Sequence, residues 1–428
     1  TAFFLLLYKQ FTASPSIGNS VLLGAVIALM CLSKYHGIII VGITIISNLK
    51  LFKSRYFWIT TLAAGALLVP HLLWQVSEGF PSINYHLFER STPSYQLSYT
   101  FDYLLSQLII LGPFAGILFI MASYRQKAKD QFEKTLKFLF WGGYIFFFVM
   151  SFRGRIEAHW TLFTVLPGIY FGYFMYIESH QVRKISKYLV PISLVLIIAA
   201  RVLLTIDLKT TDESMFTHLT KPFKNKKYMY TIEQHSNGLP VAFMNSYQQA
   251  SLYTFYTKSE GFSLNNVSGR KNQFDLWNVE DKFRGQQIMV IPNYEVREFE
   301  HIKDTPNNTC YSFITNFQSY SKIKITATNL KNEGHASDTV ETKIKLMNVT
   351  QTHLDLENNQ EFPSYVYYHF FEGKKFIKKE RAFKVTNNML NKELILKVAL
   401  PEKKGTFGLY FTLKTGWLPS TINSKRYT

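Results

Sequence analysis

NSVLLGAVIALMCLSKYHGIIIVGITIISNL, residues 19–49, is the stretch on which the reading of this chain turns. A bilayer crossing takes about 20 apolar residues, so the stretch is too long for one ordinary span. Ser33-Lys34-Tyr35-His36-Gly37 also interrupts it with a cation, a phenol and an imidazole. The spacing predicts two short apolar helices meeting at a polar elbow. Outward from it, five more apolar runs approach span length: Tyr56 to Trp74, Leu104 to Tyr124, Thr135 to Phe152, Trp160 to Ile177 and Tyr188 to Leu208. Residues 1–8 (TAFFLLLY) read as the tail of a further span. With no initiator Met and no signal peptide, the chain is expected to begin inside a longer protein.

The 428 residues divide sharply in character. Residues 1–208 hold 17 Lys and Arg and 8 of the 29 acids; residues 209–428 hold 30 Lys and Arg and 21 acids, so each half carries +9. The apolar runs lie almost wholly in the first half, and the second is polar and strand-rich. This excludes a disordered chain, a coiled coil and a purely soluble enzyme. No dense Lys/Arg run points to nucleic acid. Cys31 and Cys310 fall one in each half and offer no disulfide framework.

Loop charges predict the orientation. Lys50, Lys53, Arg55, Arg125, Lys127, Lys129, Lys134, Lys137, Arg183, Lys184 and Lys187 occupy one set of short loops. The alternate loops carry only Arg90, Arg153 and Arg155. By the positive-inside rule the second set faces outward, together with everything after Leu208. In the outer half, PVAFMN (240–245), SYQQASLYTFYTK (246–258) and QIMVIPN (287–293) alternate strand, helix and strand, as in a small α/β unit. Beyond Thr305, KIKITATNL (322–330), VETKIKLMNV (340–349), SYVYYHFF (364–371), ELILKVAL (393–400) and FGLYFTL (407–413) read as strands. Turns are expected at Glu372-Gly373 and Lys404-Gly405, and the sum suggests a β-sandwich.

Charged groups at membrane depth are costly and tend to be functional. Lys34, Tyr35 and His36 at the elbow suit a lipid-carrier phosphate; a lysine snorkelling to the interface beside a belt tyrosine is the plainer alternative. PHLLWQVSEGFPSINYHLFERS (70–91) holds Glu78, His86, Glu89 and Arg90, and equally suits an amphipathic helix on the membrane surface. RGRIEAHW (153–160) packs Arg153, Arg155, Glu157 and His159 into an outer loop otherwise poor in cations, which favours anion binding over solvation. His86, His159 and the carboxylates leave a divalent metal open, but no spacing specifies one. Three Asn-X-Ser/Thr sequons, at Asn266, Asn307 and Asn348, are expected by chance in a chain this rich in Asn.

Four blocks in order, LLGAVIALMCLSKYHGIII (22–40), VPHLLWQVSEGFPSINYHLFER (69–90), EAHWTLFTVLPGIY (157–170) and NSYQQASLYTFY with SLNNVSGRKNQFDLW (245–277), resemble bacterial membrane glycosyltransferases. The family is that of the protein mannosyltransferases and the lipid A aminoarabinose transferase, glycosyltransferase families 39 and 83. The likeness covers residues 15–300 and leaves 305–428 without a counterpart. It implies a GT-C fold: a polytopic helical membrane domain over 1–208, here its C-terminal part, then a periplasmic α/β domain over 209–304; the sandwich-like domain over 305–428 rests on its alternating strands alone. It also implies an inner-membrane enzyme with periplasmic C-terminal domains. Such an enzyme moves a sugar with inversion from a polyprenyl-phosphate donor to a lipid, glycan or protein acceptor, among membrane lipids and without nucleic acid.

The family's catalytic carboxylate sits in a first outer loop with no equivalent here, and none of Glu78, Glu89, Asp102 or Glu157 takes its place. The general base is therefore expected in a preceding segment. Lys34, Tyr35, His36, Arg153 and Arg155 are the residues expected at the donor phosphate. His86, Glu89, Arg90, Glu157 and His159 are expected to line the sugar and acceptor cavity. Tyr247, Asn272, Gln273, Asp275 and Trp277 suit a carbohydrate-facing surface or, more simply, the packing of an α/β unit. Two rivals stand: a membrane-anchored polysaccharide-binding module, and a transporter of lipid-linked sugars, which would carry an internal helical repeat that the sequence lacks.

Overall fold

The computed structural model describes residues 1–77, 80–84, 95–203, 213–267, 269, 271–277, 279–303, 305, 309–330, 333–349, 354–357, 363–373 and 375–427. The chain separates into two units, Thr1–Ile206 and Asp207–Thr428. The first is helical: α1 (Ala2–Ala13), α2 (Ile17–Ser33), α3 (Gly37–Ser47), α4 (Arg55–Ser77), α5 (Pro81–Asn84), α6 (Leu97–Ile110), α7 (Ala115–Arg125), α8 (Gln131–Ser151), α9 (Val165–Glu178) and α10 (His180–Leu203), with 3₁₀ turns at Leu49–Lys53 and Ala158–Thr164.

The elbow forms as its sequence predicts. Ser16 caps α2 by accepting from the Asn19 amide at 3.1 Å. The helix ends where Lys34 becomes extended (φ −159°, ψ 125°). Gly37 then starts α3 with its amide donating to the Lys34 carbonyl at 2.8 Å.

Among the described residues, three helical segments, Arg55–Ser77, Ala158–Glu178 and His180–Val202, are long and apolar enough to cross a membrane. The run from Leu104 to Tyr124 does not form the single straight span its hydropathy suggests. It splits into α6 and α7, bent by 95°. Gly112 adopts φ +96° and Pro113 brings no amide donor, so the ladder stops there. As one bent span the pair would bring the number to four. The run from Thr135 to Phe152 begins earlier, at Gln131, because Asp130 caps α8 by accepting from the Glu133 amide at 2.7 Å.

The first unit packs around Phe4, Tyr8, Tyr103, Leu139, Phe147, Phe163 and Phe171. Its exterior is also apolar: Leu62 is 72% exposed and Val195 63%, a surface suited to acyl chains. Ser20, Gly24 and Ala28, four residues apart on one side of α2, are all buried, as are Thr60 and Ala64 of α4. A Cβ on Gly24 would lie 2.6 Å from the Thr60 carbonyl oxygen and 2.7 Å from Ala63 Cβ. Small residues let two backbones approach closely where burial of apolar surface gives no net drive.

The second unit opens with α11 (Glu213–Ser236) and an α/β segment: β1 (Val241–Met244), α12 (Tyr247–Thr257), β2 (Gly261–Leu264), α13 (Gln273–Leu276), α14 (Val279–Lys282), β3 (Ile288–Ile291), β4 (Glu300–His301) and β5 (Cys310–Ile314). They form one sheet in the order β2-β1-β3-β5-β4, parallel at β1/β2 and β1/β3 and antiparallel at β3/β5 and β4/β5. The boundary expected at 304/305 thus falls inside this sheet, between β4 and β5.

Then follow β6 (Ile323–Thr328), β7 (Thr339–Asn348), β8 (Ser364–Glu372), β9 (Lys375–Lys384), β10 (Glu393–Ala399) and β11 (Gly408–Thr415) in two antiparallel sheets, β10-β7-β6 and β11-β8-β9. Ile325, Ile344, Leu346 and Val398 of one sheet share a core with Val366, Phe370, Phe411 and Leu413 of the other. This is the sandwich that alternation suggested, with β9 as a strand the sequence reading omits.

On the face of β8 away from this shared core, His369 is nonetheless 3% exposed, and its Nε2 shares a 2.9 Å hydrogen bond with Thr412 Oγ1. Burial and the neighbouring Lys379 push its pKa down to about 3. A base depressed in the native state is protonated in the unfolded chain first, so its contribution is intact above about pH 6.5 and declines toward pH 3. The slope approaches about 1.4 kcal/mol per pH unit. His369→Gln should flatten the acid limb of this unit's stability curve between pH 6.5 and 4, followed by hydrogen exchange at core amides of β8 and β11. An unchanged limb would assign the acid sensitivity elsewhere.

Candidate functional site

The elbow is closed from two sides. Tyr35 Oη lies 2.9 Å from His71 Nε2 and 3.0 Å from Ser82 Oγ, and it accepts from Gln75 Nε2 at 2.9 Å. Gln75 is 3% exposed and also donates to Ser82 Oγ at 2.9 Å. The end of α4, the short α5 and the elbow therefore form one polar knot. His71 and Gln75 escape a sequence reading that weighs charged groups. Their i, i+4 spacing, which sets both on one helix face, was the available signal.

On the other side the His36 ring sits 4.5 Å from the Trp160 ring and 5.7 Å from that of Phe147, centroid to centroid. Trp160 opens out of the Arg153–His159 loop, its amide donating to the Glu157 carbonyl at 3.0 Å. Two segments more than a hundred residues apart in sequence thus meet through an imidazole and an indole. Hydroxyl and amide groups line the helices beneath: Thr100 and Ser151 hydroxyls are 3.0 Å apart, the Thr161 hydroxyl donates to Gln107 Oε1, and Thr164 donates to Tyr144 Oη at 2.6 Å.

Of the residues expected at a phosphate, Lys34, Tyr35, Arg153 and Arg155 are exposed and His36 is half-buried. Tyr35 is the partner of His71, Gln75 and Ser82, so its hydroxyl is already engaged in holding the elbow. Among the described residues, Lys34, Arg153 and Arg155 have no side-chain hydrogen bond or ion pair. Lys34 thus lies in the elbow, and Arg153 and Arg155 in the loop whose Trp160 meets His36. Of the residues expected around a sugar, Glu157 is half-buried and His159 exposed. His86, Glu89 and Arg90, with Glu78, lie outside the described residues. No group of three or more His, Cys, Asp or Glu among the described residues is arranged to hold a metal.

Two cavities of about 340 and 300 Å³ lie elsewhere in this unit, one among α7, α9 and α10 and one among α6, α7 and α8. Both are lined chiefly by apolar side chains and neither includes an expected site residue. In the second unit, Asp275 Oδ2 accepts from Asn265 Nδ2 at 2.7 Å and from the Asn272 amide at 2.6 Å, and Asn272 caps α13 in return. Both residues are thereby committed to local structure, and burial pushes the Asp275 pKa up. Tyr247 and Trp277 remain 40% and 50% exposed. No protein-family model, no curated protein and no solved structure matches this chain.

Proposed function

We propose that the protein is a membrane glycosyltransferase that moves a sugar from a polyprenyl-phosphate donor to a lipid, glycan or protein acceptor at the outer face of the bacterial inner membrane, with its second unit in the periplasm. One observation carries the reading. The His36–Trp160 contact joins the elbow, which carries Lys34, to the loop that carries Arg153 and Arg155, and among the described residues none of the three has a carboxylate partner.

Transfer breaks the bond between the sugar's anomeric carbon and the phosphate oxygen, and the electron pair stays on the phosphate. Preformed positive groups matter most where that charge develops. Arginine is suited to it because its planar fork bonds two phosphate oxygens at once. Tyr35, His71, Gln75 and Ser82 hold the elbow in position, and Glu157 and His159, in the same loop as the two arginines, are the candidates to meet sugar or acceptor hydroxyls. No residue of this chain is assigned as the general base.

Titration of the protein in nanodiscs with polyprenyl phosphate tests the reading. Trp160→Ala removes the ring that joins the two loops while leaving every cation in place, and should weaken binding about tenfold, equivalent to about 1.4 kcal/mol. Equal affinity in the variant would separate the loops and defeat the proposal of one shared site.

A further inference from the structure

The outer face of the β11-β8-β9 sheet carries an array of cations that its own fold does not neutralise. On β8 the even-numbered Val366, Tyr368 and Phe370 enter the sandwich core, which leaves Tyr365, Tyr367, His369 and Phe371 on the opposite face. Across from these stand Lys384, Arg381, Lys379 and Phe376 of β9, and Lys414, Thr412, Tyr410 and Gly408 of β11. The paired positions of this face therefore hold Lys379, Arg381, Lys384 and Lys414 and not one carboxylate.

The Lys379 ammonium lies 4.5 Å from the centre of the Tyr367 ring, and the Arg381 guanidinium 5.1 Å from that of Tyr365. Burial and the neighbouring Lys414 both push the Lys379 pKa below its ordinary value. Like charges are thus held within each other's field, a cost that a bound anion would relieve. The titratable groups facing this array are His369, which burial keeps neutral above about pH 3, and Tyr365, Tyr367 and Tyr410.

Three features narrow the occupant. Two of the tyrosine ring faces are already covered by cations, so a sugar ring finds no open stacking platform there. The array is three strands wide at about 4.8 Å per strand, with Lys379, Arg381 and Lys384 exposed and Lys414 half-buried around the buried His369 and Thr412. Phe376, 52% exposed at the start of β9 and 5.8 Å from the Phe371 ring, offers one apolar side chain beside the cations. Cations with an adjacent aromatic suit an anionic bilayer surface, and the chain enters this unit directly after α10, whose tethering keeps such a surface at high local concentration.

We propose that the outer face of the β11-β8-β9 sheet docks on anionic phospholipid headgroups, through Lys379, Arg381, Lys384 and Lys414 with Phe376 at the lipid boundary. The inference rests on the membrane reading of the helical unit and is independent of the transfer reaction.

Amine footprinting of the whole chain in nanodiscs tests it, since both disc faces are open to reagent. Lys379 and Lys414 should acylate about fivefold more slowly in discs containing phosphatidylglycerol than in phosphatidylcholine alone, and molar salt should restore the faster rate. Lys343 and Lys397, paired with Glu393 and Glu341 on the other sheet, should react equally in both. Arg381→Gln combined with Lys384→Gln, at exposed edge positions, should abolish the protection in a folded protein. Equal rates in the two discs overturn the proposal. So does protection in neutral discs by a soluble anionic polysaccharide that exceeds the protection by anionic lipid.

Discussion

Alanine at both Arg153 and Arg155 should reduce sugar transfer by roughly 10²- to 10³-fold, the loss typical of removing one preorganised donor to a developing oxyanion. Both side chains are exposed and, among the described residues, make no hydrogen bond or ion pair. Their removal therefore costs the fold little, and a melting temperature close to that of the parent is part of the expected result. Lysine at both positions should recover part of the rate, because charge remains while the bidentate fork is lost. If transfer survives the alanine pair, the phosphate lies elsewhere. If the lysine pair is as inactive as the alanine pair, geometry rather than charge governs the site.

Leucine at Gly24 should be the most damaging single change to the helical unit. The obstacle is backbone: a Cβ there meets the Thr60 carbonyl oxygen at 2.6 Å and the Ala64 nitrogen at 3.0 Å, and neither can swing aside as a side-chain tip could. Overpacking commonly costs about 1–3 kcal/mol, and the larger side chain places this substitution at or beyond the top of that range. The effect should also reach the site, because α2 delivers Lys34 and Tyr35 while α4 delivers His71 and Gln75. Denaturation in mixed micelles reads the stability, and loss of phosphate binding reads the displaced elbow. A leucine variant as stable as the parent would mean that α2 and α4 can separate without consequence.

Local chemistry made much of this architecture legible. The elbow was readable because Lys34-Tyr35-His36 interrupts an otherwise continuous apolar run, and five sandwich strands because apolar and polar residues alternate in them. The break at Gly112-Pro113 was equally present in the sequence, but mean hydropathy averages across it and concealed the 95° bend. Strand β9, KFIKKERAFK, is an edge strand whose charges keep another chain from pairing with it, so the usual alternation signal is absent. That β5 joins the α/β sheet is not legible, because so short a strand does not outweigh the change of composition near Thr305.

At the site, the residue types in the two loops pointed to anion binding, whereas their proximity could not be read. The His36–Trp160 contact depends on how α3 and α8 pack, and no local pattern encodes that. Gln75 was passed over because an uncharged amide gives no signal until burial is known.

The proposed transfer of a sugar from a polyprenyl-phosphate carrier is open to direct test. The full-length protein is reconstituted in bilayers with a panel of radiolabelled polyprenyl-phosphate sugars and a membrane lipid extract. Label from at least one donor should pass to an acceptor as free polyprenyl phosphate accumulates. If no donor is consumed while the same preparation binds polysaccharide, the helices serve as an anchor for a binding module and the transferase reading is wrong.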